Sequence, residues 1–252
     1  MVRAGKTICS LHRVRRIMEL YEELCRAVEE EYDVVRPLKQ SVRGSVAVVR
    51  HKRSGTRYVF RRCTSGGEVY RRLLPVLCPH LPQIMEAAVR EDGETAVLEE
   101  YVQGDTLAEL LTAGTLSVPQ ARSVTAQLCA ALYVLHSIGA VHRDVKPENV
   151  ILRGSEAVLI DFDAARIYKD ESEGDTQILG TTGFAAPEQY GISQSDERAD
   201  IYSLGVLLNI MLTGKHPSRG LADGRMGRIV QKCTMTAPEK RYQSAKALLE
   251  AL

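Results

Sequence analysis

Hydrophobic side chains near the start of the chain recur at the three- and four-residue spacing of one helix face, after Ser10 as an N-cap. The spacing predicts an amphipathic helix over residues 11–32, so that residues 1–31 form a helical extension ahead of the main fold. Two roles stay open for this helix: a strut packed on the lobe that follows, or a contact for a partner or a second copy. The residues with this spacing are Leu11, Val14, Met18, Tyr21, Cys25, Val28 and Tyr32.

Between residues 32 and 102, short β-type runs separated by turn dipeptides replace the helical spacing. One short helix is predicted among them, from Glu68 to Leu77, because Gly66-Gly67 and Pro79 bound it. Residues 32–102 are therefore predicted to form a small lobe with an antiparallel sheet. The runs are residues 45–51, 57–63 and 95–101, with turns at 54–55 and 92–93.

From residue 103 onward the pattern is that of long buried helices. Ser117 opens a capping box, and hydrophobic residues follow at helical spacing until Gly139. A second such helix ends at Gly214, and one or two shorter helices fall within residues 229–252. Residues 103–252 are therefore predicted to form a mainly helical lobe, which shares a cleft with the first lobe as one functional unit.

Composition and charge narrow the function classes. With 252 residues, of which 44% are hydrophobic, the chain can fill two small lobes and is too apolar for a disordered protein. The 33 basic and 32 acidic residues nearly cancel, which argues against nucleic acid as a partner. No apolar run reaches the roughly 20 residues that span a bilayer. The first ten residues lack the apolar stretch of a secretory signal, so a cytoplasmic protein is expected.

The six cysteines are widely scattered, with no Cys-x-x-Cys pair and no histidine cluster beside them. We therefore expect reduced, mostly buried thiols and no zinc site. The cysteines are Cys9, Cys25, Cys63, Cys78, Cys129 and Cys233.

The most informative stretch is residues 142–149, which read His-Arg-Asp-Val-Lys-Pro-Glu-Asn, followed by Asp-Phe-Asp at residues 161–163. Two apolar runs between these motifs are predicted to pair as a β-hairpin centred near Ser155. The hairpin would put Asn149 opposite Asp161, with Cα atoms about 5 Å apart. An amide oxygen and a carboxylate at this distance can share one hard cation, for which Mg²⁺ is the natural choice.

Asp144 and Lys146 are two residues apart in a segment that Pro147 biases toward extended conformation, so both side chains can face one reacting group. A carboxylate there can orient an incoming hydroxyl and accept its proton, while an ammonium neutralises charge on a transferred phosphoryl group. The pattern therefore indicates phosphoryl transfer. The predicted catalytic residues are Asp144, Lys146, Asn149 and Asp161, of which Asn149 and Asp161 are the predicted metal ligands.

These motifs resemble the catalytic loop and the metal-binding motif of eukaryotic-type (Hanks-type) serine/threonine protein kinases. Residues 180–188 are similar to the end of a kinase activation segment, and residues 200–205 resemble the helix that anchors the catalytic loop. The resemblance covers residues 32–252. It implies a compact, bacterial-like member with an α+β, bilobal protein-kinase-like fold: a small antiparallel β-rich N-lobe and a mainly helical C-lobe.

The resemblance also implies an activity, the Mg²⁺-dependent transfer of the γ-phosphate of ATP to serine or threonine hydroxyls of proteins. Thr181 together with Lys146 favours this acceptor class, and Arg241 matches the arginine that pairs with Glu188. Arg143 would hold a regulatory phosphate. No residue pattern identifies the protein substrate. The candidate phosphosites are Thr176, Thr181 and Thr182.

By the same resemblance the first lobe binds the nucleotide, but its motifs depart from the family's pattern. Only Gly44, the last of three expected glycines, remains in the phosphate loop. Arg61 stands in place of the phosphate-binding lysine and keeps its charge, not its shape. Glu68 looks like the helix carboxylate that pairs with this basic residue, with a solvated helix glutamate as the alternative.

Residues 99–102, Glu-Glu-Tyr-Val, resemble the hinge whose backbone binds adenine. Glu99 takes the gatekeeper position, where a buried carboxylate needs a partner, and Arg61 is one candidate. Asp105 would reach the ribose, with Thr106 as the alternative, and the ring would lie between Val46, Val59 and Ile151. The nucleotide-binding residues that the resemblance implies are Gly44, Val46, Val59, Arg61, Glu68, Glu100, Val102, Asp105 and Ile151.

Arg61, together with Asp163 in place of a glycine, makes a pseudokinase scaffold the leading alternative. One lost charged hydrogen bond is worth about 1.5 to 3 kcal/mol, or about ten- to a hundredfold in rate, which slows a kinase without abolishing its activity. A small-molecule kinase resembling aminoglycoside phosphotransferases is less favoured. Lys146 and the Ala-Pro-Glu at residues 186–188, which builds a peptide-docking platform in protein kinases, argue against it.

Overall fold

The computed structural model of this protein describes residues 20–41, 44–168, 181–190 and 195–252. These residues form two compact units. The first unit comprises the described residues up to Val76 together with Gln83–Tyr101, and the second comprises Leu77–Pro82 together with the described residues of Val102–Leu252.

The first unit is built on one antiparallel sheet with the strand order β1-β2-β3-β5-β4. Residues 52–56 connect β2 to β3 and residues 90–94 connect β4 to β5, whereas the short helix α2 lies between β3 and β4 along the chain. The elements are α1 (residues 20–31), β1 (Tyr32–Ser41), β2 (Gly44–His51), β3 (Arg57–Cys63), α2 (Gly67–Leu73), β4 (Ile84–Val89) and β5 (Thr95–Glu100).

Helix α1 packs on one face of this sheet. Tyr21 lies in a buried cluster with Ala96, and Val28 lies in a second cluster with Leu98. The ammonium of Lys52 donates to the carbonyl of Glu30 at 2.6 Å, at the end of the helix where unpaired carbonyls attract a cation. Within the first unit, α1 is therefore a strut on the sheet, one of the two roles predicted for it.

The C-terminal ends of two predicted helices differ from the prediction. Residues 20–31 are helical, residues 11–19 of the predicted helix lie outside the described residues, and Tyr32 begins β1 instead of ending the helix. Helix α2 ends at Leu73 and not at Leu77, because Pro75 has no N–H to donate to a further helical turn. The sheet also contains two strands that were not predicted, β1 and β4.

The second unit is mainly helical, with α4 packed on α5 and α7 and with α6 packed on α5. A three-stranded sheet, β6-β8-β9, and a two-stranded sheet, β10-β7, complete its described part. The elements are β6 (Asp105–Thr106), α3 (Leu107–Thr112), α4 (Val118–Ser137), β7 (Ala140–Val141), β8 (Val150–Arg153), β9 (Glu156–Leu159), β10 (Arg166–Ile167), α5 (Glu197–Thr213), α6 (Gly224–Cys233) and α7 (Ala245–Ala251).

Helix signals in the sequence are confirmed in this unit. Ser117 and Gln120 form a reciprocal capping box at the start of α4. Gly214 ends α5 in the left-handed conformation, with a φ angle of 67°. The predicted short helices near the C-terminus are two, α6 and α7, and α6 begins five residues before the predicted Ile229.

The predicted register of the β8–β9 hairpin is wrong by one residue. Arg153 pairs with Glu156 across a two-residue turn, in which Gly154 has a φ angle of 62°. Asn149 is consequently opposite Ile160, whose N–H donates to the Asn149 carbonyl at 2.9 Å. Asp161 lies one residue beyond this pair.

The five cysteines in the described part of the chain are free thiols, and three of them, Cys63, Cys129 and Cys233, are buried; Cys9 lies outside that part. Burial raises the pKa of the Cys129 thiol to about 12 and raises that of Cys233 as well.

Across the described ranges, no helix combines the length and the apolar character needed to cross a membrane.

Candidate active site

The carboxylate of Asp144 contacts two of the other predicted catalytic side chains, those of Lys146 and Asn149. Its Oδ2 lies 2.7 Å from the ammonium of Lys146, and its Oδ1 accepts a hydrogen bond from the Thr181 hydroxyl at 2.8 Å. Lys146 also donates to the Thr181 hydroxyl oxygen at 2.6 Å. Lys146 has extended backbone angles, as expected from Pro147, so its side chain points to the same side as that of Asp144.

Asn149 is oriented by the same aspartate. Its amide Nδ2 donates to the Asp144 carbonyl at 2.9 Å and to Asp144 Oδ2 at 3.0 Å. Both N–H groups of this amide therefore face Asp144, and the carbonyl Oδ1 points away from it. An amide oxygen presented in this way is a suitable ligand for a hard divalent cation, so the predicted metal role fits this donor.

Asp161 follows β9 at a sharp turn of the chain. Its φ angle is 69°, in the left-handed region that few non-glycine residues adopt, and its Oδ1 accepts the N–H of Asp163 at 3.2 Å. The next residue, Phe162, is fully buried and packs edge-on against His142, with ring centroids 5.6 Å apart. These contacts anchor the turn that carries the second predicted metal ligand.

Asp200 at the start of α5 holds the catalytic loop from beneath. Its carboxylate accepts the backbone N–H groups of His142 and Arg143 and a hydrogen bond from His136 Nε2 at 2.9 Å. Burial favours the neutral acid, but these hydrogen bonds and the neighbouring imidazoles outweigh it and hold the pKa of Asp200 below its ordinary value. The loop is therefore tied to a helix by an ionised, fully buried group.

The end of the predicted activation segment is tied to the same unit by a buried ion pair. Arg241 binds Glu188 through two parallel hydrogen bonds of 2.6 and 2.8 Å, as predicted. Arg241 also donates to three backbone carbonyls, those of Met235, Thr236 and Arg198. Residues 186–188 are consequently held against the C-terminal part of the chain.

Arg61 and Glu99 form a buried ion pair in the first unit. Nε and Nη2 of Arg61 donate to Glu99 Oε1 at 3.3 and 3.0 Å, and each residue is only 4% exposed. Arg61 was the candidate partner for the buried gatekeeper carboxylate. Val46 faces Arg61 across the strands, and Val59, two residues earlier on β3, lies on the same sheet face.

The structure does not form the predicted pair between Glu68 and Arg61. The Glu68 carboxylate is 54% exposed and contacts Arg71 and Arg72 one turn along its own helix. Helix α2 buries Val69, Tyr70 and Leu73 instead, which turns Glu68 to the solvent side. Glu68 is therefore a solvated helix glutamate, the second of the two predicted roles.

The packing of strand β2 against β3 explains why residue 44 is a glycine. Its φ angle is 142°, and a Cβ atom at this position would lie 1.9 Å from the carbonyl oxygen of Arg62 on the neighbouring strand. The close approach of β2 and β3 therefore requires glycine here, whether or not the backbone also contacts a phosphate.

The remaining predicted nucleotide ligands lie in several elements. Glu100 ends β5, with its N–H bonded to the Gln83 carbonyl, and Val102 is buried in the second unit. Asp105 is exposed on β6, and Ile151 is on β8 opposite Thr106. The Thr106 hydroxyl takes part in the capping box of α3.

Two positioning residues were not predicted, the partly buried His136 and the buried Gln189. The amide of Gln189 donates to the Arg143 carbonyl and accepts the N–H of Ala186, which joins the catalytic loop to the end of the activation segment. His136 contacts Asp200, 64 residues away along the chain. No spacing in the sequence signals either contact, because each links distant segments.

Comparison with known proteins decides the family. Residues 70–252 match the profile of the family described as "Protein kinase domain". This chain belongs to the protein kinase domain family. The predicted α+β fold class is confirmed, with an antiparallel β-rich part followed by a mainly helical part.

Several bacterial serine/threonine-protein kinases are similar to this protein kinase domain. Serine/threonine-protein kinase D of Synechocystis sp. is 34% identical over 185 residues, 64% of this chain and 36% of the relative. Kinase pkn2 of Myxococcus xanthus is 37% identical over 139 residues, 52% of this chain and 17% of the relative. PknB of Mycobacterium tuberculosis is 34% identical over 161 residues, 62% of this chain and 26% of the relative. The chain thus matches between about a sixth and about a third of the length of these relatives.

Proposed function

We propose that this protein kinase domain transfers the γ-phosphoryl group of ATP to serine and threonine hydroxyls of proteins. The observation that carries the proposal is the Asp144 carboxylate, which contacts Lys146, Asn149 and Thr181 at once. Phosphoryl transfer to a hydroxyl uses a carboxylate that accepts the proton, a cation that neutralises charge and an amide oxygen that binds the metal, which Asp144, Lys146 and Asn149 supply. The names of the similar bacterial proteins support the same acceptor class.

Three side chains of the second unit have separate roles in the proposed reaction. Asp144 orients the acceptor hydroxyl and takes its proton, since a carboxylate fixed by three donors can aim one oxygen at a single point. Lys146 places a positive charge beside the same carboxylate, where negative charge develops on the transferred group. Thr181 holds these two side chains together through its hydroxyl.

A divalent cation, for which we propose Mg²⁺, would be held by Asn149 and Asp161. Both supply the oxygen ligands that hard cations prefer, and Mg²⁺ would neutralise charge on the phosphates of ATP. In the first unit, Arg61 would bind phosphate, and Val46 and Val59 on the same sheet face would contact the adenine. Roles in nucleotide binding for Gly44, Glu68, Glu100, Val102, Asp105 and Ile151 stay predictions.

We further propose that residues 32–252 act as one kinase domain in the cytoplasm, where ATP and reduced cysteines are the norm. The exposed side of α1 remains the proposed contact for a partner or a second copy. Thr181 and Thr182 remain proposed phosphosites, and Thr176 lies outside the described residues.

The proposal is tested by intact-mass detection of phosphate on the phosphatase-treated protein and on casein after incubation with MgATP. Transfer by the wild type that is lost in Asp144→Ala and in Asp161→Ala is the expected result. Absence of transfer together with absence of an ATP-dependent thermal shift would favour the pseudokinase. Transfer that survives in Asp144→Ala would contradict the proposed role of this carboxylate.

A further inference from the structure

The position of Arg61 is set within the sheet of the first unit. In the antiparallel pair of β3 and β5, Arg61 is opposite Val97 and Val59 is opposite Glu99. Arg61 and Glu99 are therefore diagonal neighbours on one sheet face, within reach of long side chains. The guanidinium runs along the sheet to the carboxylate, and the two side chains bury each other's charge.

Helix α2 offers Arg61 an aromatic ring in place of a carboxylate. The one acidic residue of the helix is Glu68, which is engaged with Arg71 and Arg72 on the exposed side. Tyr70 is fully buried, and its ring centroid lies 5.6 Å from the guanidinium carbon of Arg61. The ring supports the cation by packing and by its π-electrons, but it does not fix the direction of individual N–H groups.

Arginine suits this arrangement better than lysine would. A guanidinium is a planar fork of five N–H groups, so it can bind a carboxylate along one edge and a phosphate along another. Two N–H groups on one side of Arg61 are directed at Glu99. Because the fork is rigid, fixing that side also fixes the direction of the opposite side.

We propose that Glu99 is the positioning residue for Arg61 as the phosphate-binding cation, a role placed on strand β5 and not on helix α2. This inference rests on the proposed function. Since both residues belong to neighbouring strands of one sheet, the orientation of Arg61 does not depend on an ion pair to a movable helix. Movement of α2 would act on Arg61 through the ring of Tyr70.

The experiment compares four variants of the full chain: Glu99→Gln, Arg61→Gln, the double variant, and Glu86→Gln as the matched control, since Glu86 is an exposed glutamate on β4 of the same sheet. Two quantities are measured, kcat/KM for ATP with casein as acceptor and the ATP-dependent shift in Tm. Glu99→Gln should lower kcat/KM for ATP at least about tenfold and leave the KM for casein unchanged, because Arg61 loses its direction but the acceptor side does not change. Glu86→Gln should stay within about twofold of the wild type.

The double variant separates positioning from a merely structural role. If Glu99 acts through Arg61, removing Glu99 from the Arg61→Gln protein costs nothing more, so both should agree within about twofold in kcat/KM for ATP. A further tenfold loss would overturn the inference. This comparison also decides the question if Glu99→Gln alone does not fold, because the double variant carries no unpaired buried charge.

Failure of this inference can be told from failure of the proposed function. Wild-type transfer with an unaffected Glu99→Gln, or an equal loss in Glu86→Gln, would overturn the role of Glu99 alone. If the wild type transfers no phosphate but is stabilised by ATP, a reduced ATP-dependent Tm shift in both Glu99→Gln and Arg61→Gln supports the role, and an unchanged shift overturns it. A wild type with neither transfer nor shift overturns both.

Discussion

The carboxylate of Asp200 accepts the backbone N–H of Arg143 at 2.7 Å, across 57 residues of chain. A second oxygen of the same carboxylate accepts the N–H of His142. The first turn of α5 thus sets the path of the backbone that carries Asp144, although Asp200 itself reaches no residue proposed to touch a substrate. Stability and catalysis should both depend on it.

Replacing Asp200 with Asn should lower the free energy of unfolding by about 3 kcal/mol or more at neutral pH, because the buried N–H groups lose an ionised acceptor. Urea unfolding monitored by circular dichroism measures the difference. Asp223→Asn is the control, since Asp223 is exposed at the start of α6 and makes no side-chain cap hydrogen bond. A loss no larger than that of the control would contradict the anchoring role.

The contribution of Asp200 to the free energy of unfolding should also depend on pH. Its pKa in the folded protein lies below the ordinary 3.8, so its stabilisation is present above that value and is lost as the pH falls through the folded pKa. The difference in unfolding free energy between wild type and Asp200→Asn should therefore shrink in acid. A difference that stays constant across this range would show that the charge of Asp200 is not what stabilises the loop.

Thr181 should matter through its hydroxyl and not through its shape. Thr181→Val removes the hydrogen bonds to Asp144 and Lys146 and should lower the transfer rate about ten- to a hundredfold. Thr181→Ser keeps the hydroxyl and should stay within about threefold of the wild type. Initial rates at saturating ATP provide the comparison; equal rates for the Val and Ser variants would contradict the bridging role.

The pair between Arg241 and Glu188 should be a major stabilising contact. Arg241→Ala leaves the buried Glu188 carboxylate and three carbonyls without their donor and should cost about 3 to 5 kcal/mol. The exposed pair of Lys246 and Glu250, 4.0 Å apart on α7, supplies the control. Lys246→Ala should change stability by less than about 0.5 kcal/mol. Chemical unfolding of both variants tests this contrast, which a small loss in Arg241→Ala would contradict.

Helix α1 should contribute to the stability of the first unit. Val28→Ala removes a buried side chain from the cluster with Val49 and Leu98 and should lower the unfolding free energy by about 1 to 3 kcal/mol. Leu20→Ala, at an exposed position of the same helix, should have little effect. If Val28→Ala is as stable as the Leu20 variant, the packing of α1 on the sheet does not contribute to the stability of the first unit.

Local signals explain which elements could be predicted. The capping box of α4 and Gly214 after α5 are readable because each signal lies within a few residues of the boundary it sets. Strand β1 escaped prediction because it is an edge strand with nearly every side chain exposed, and it contains Pro37, a residue that argues against a strand. The one-residue register error arose because a two-residue turn and a three-residue turn both fit the Gly-Ser-Glu at residues 154–156.

In the active site, contacts between residues close in the sequence could be predicted, and contacts between distant residues could not. Asp144, Lys146 and Asn149 are close neighbours in the sequence, so they converge within one short segment, which is extended at Lys146 and forms a single 3-10 turn over Pro147–Asn149. Glu68 and Glu99 could not be ranked as partners of Arg61, because the choice depends on how β3 aligns with β5 and on which face of α2 is buried. Neither is encoded in local spacing.

The most direct test of kinase activity uses three synthetic peptides that differ only in a central serine, threonine or tyrosine, each incubated with MgATP and the full chain. Mass spectrometry should find phosphate on the serine and threonine peptides and none on the tyrosine peptide. The rate should fall about 100-fold or more in Asp144→Asn and stay unchanged in Asp223→Asn. Transfer by Asp144→Asn at the wild-type rate, or no transfer to any peptide and none to the chain itself, would contradict the proposed function.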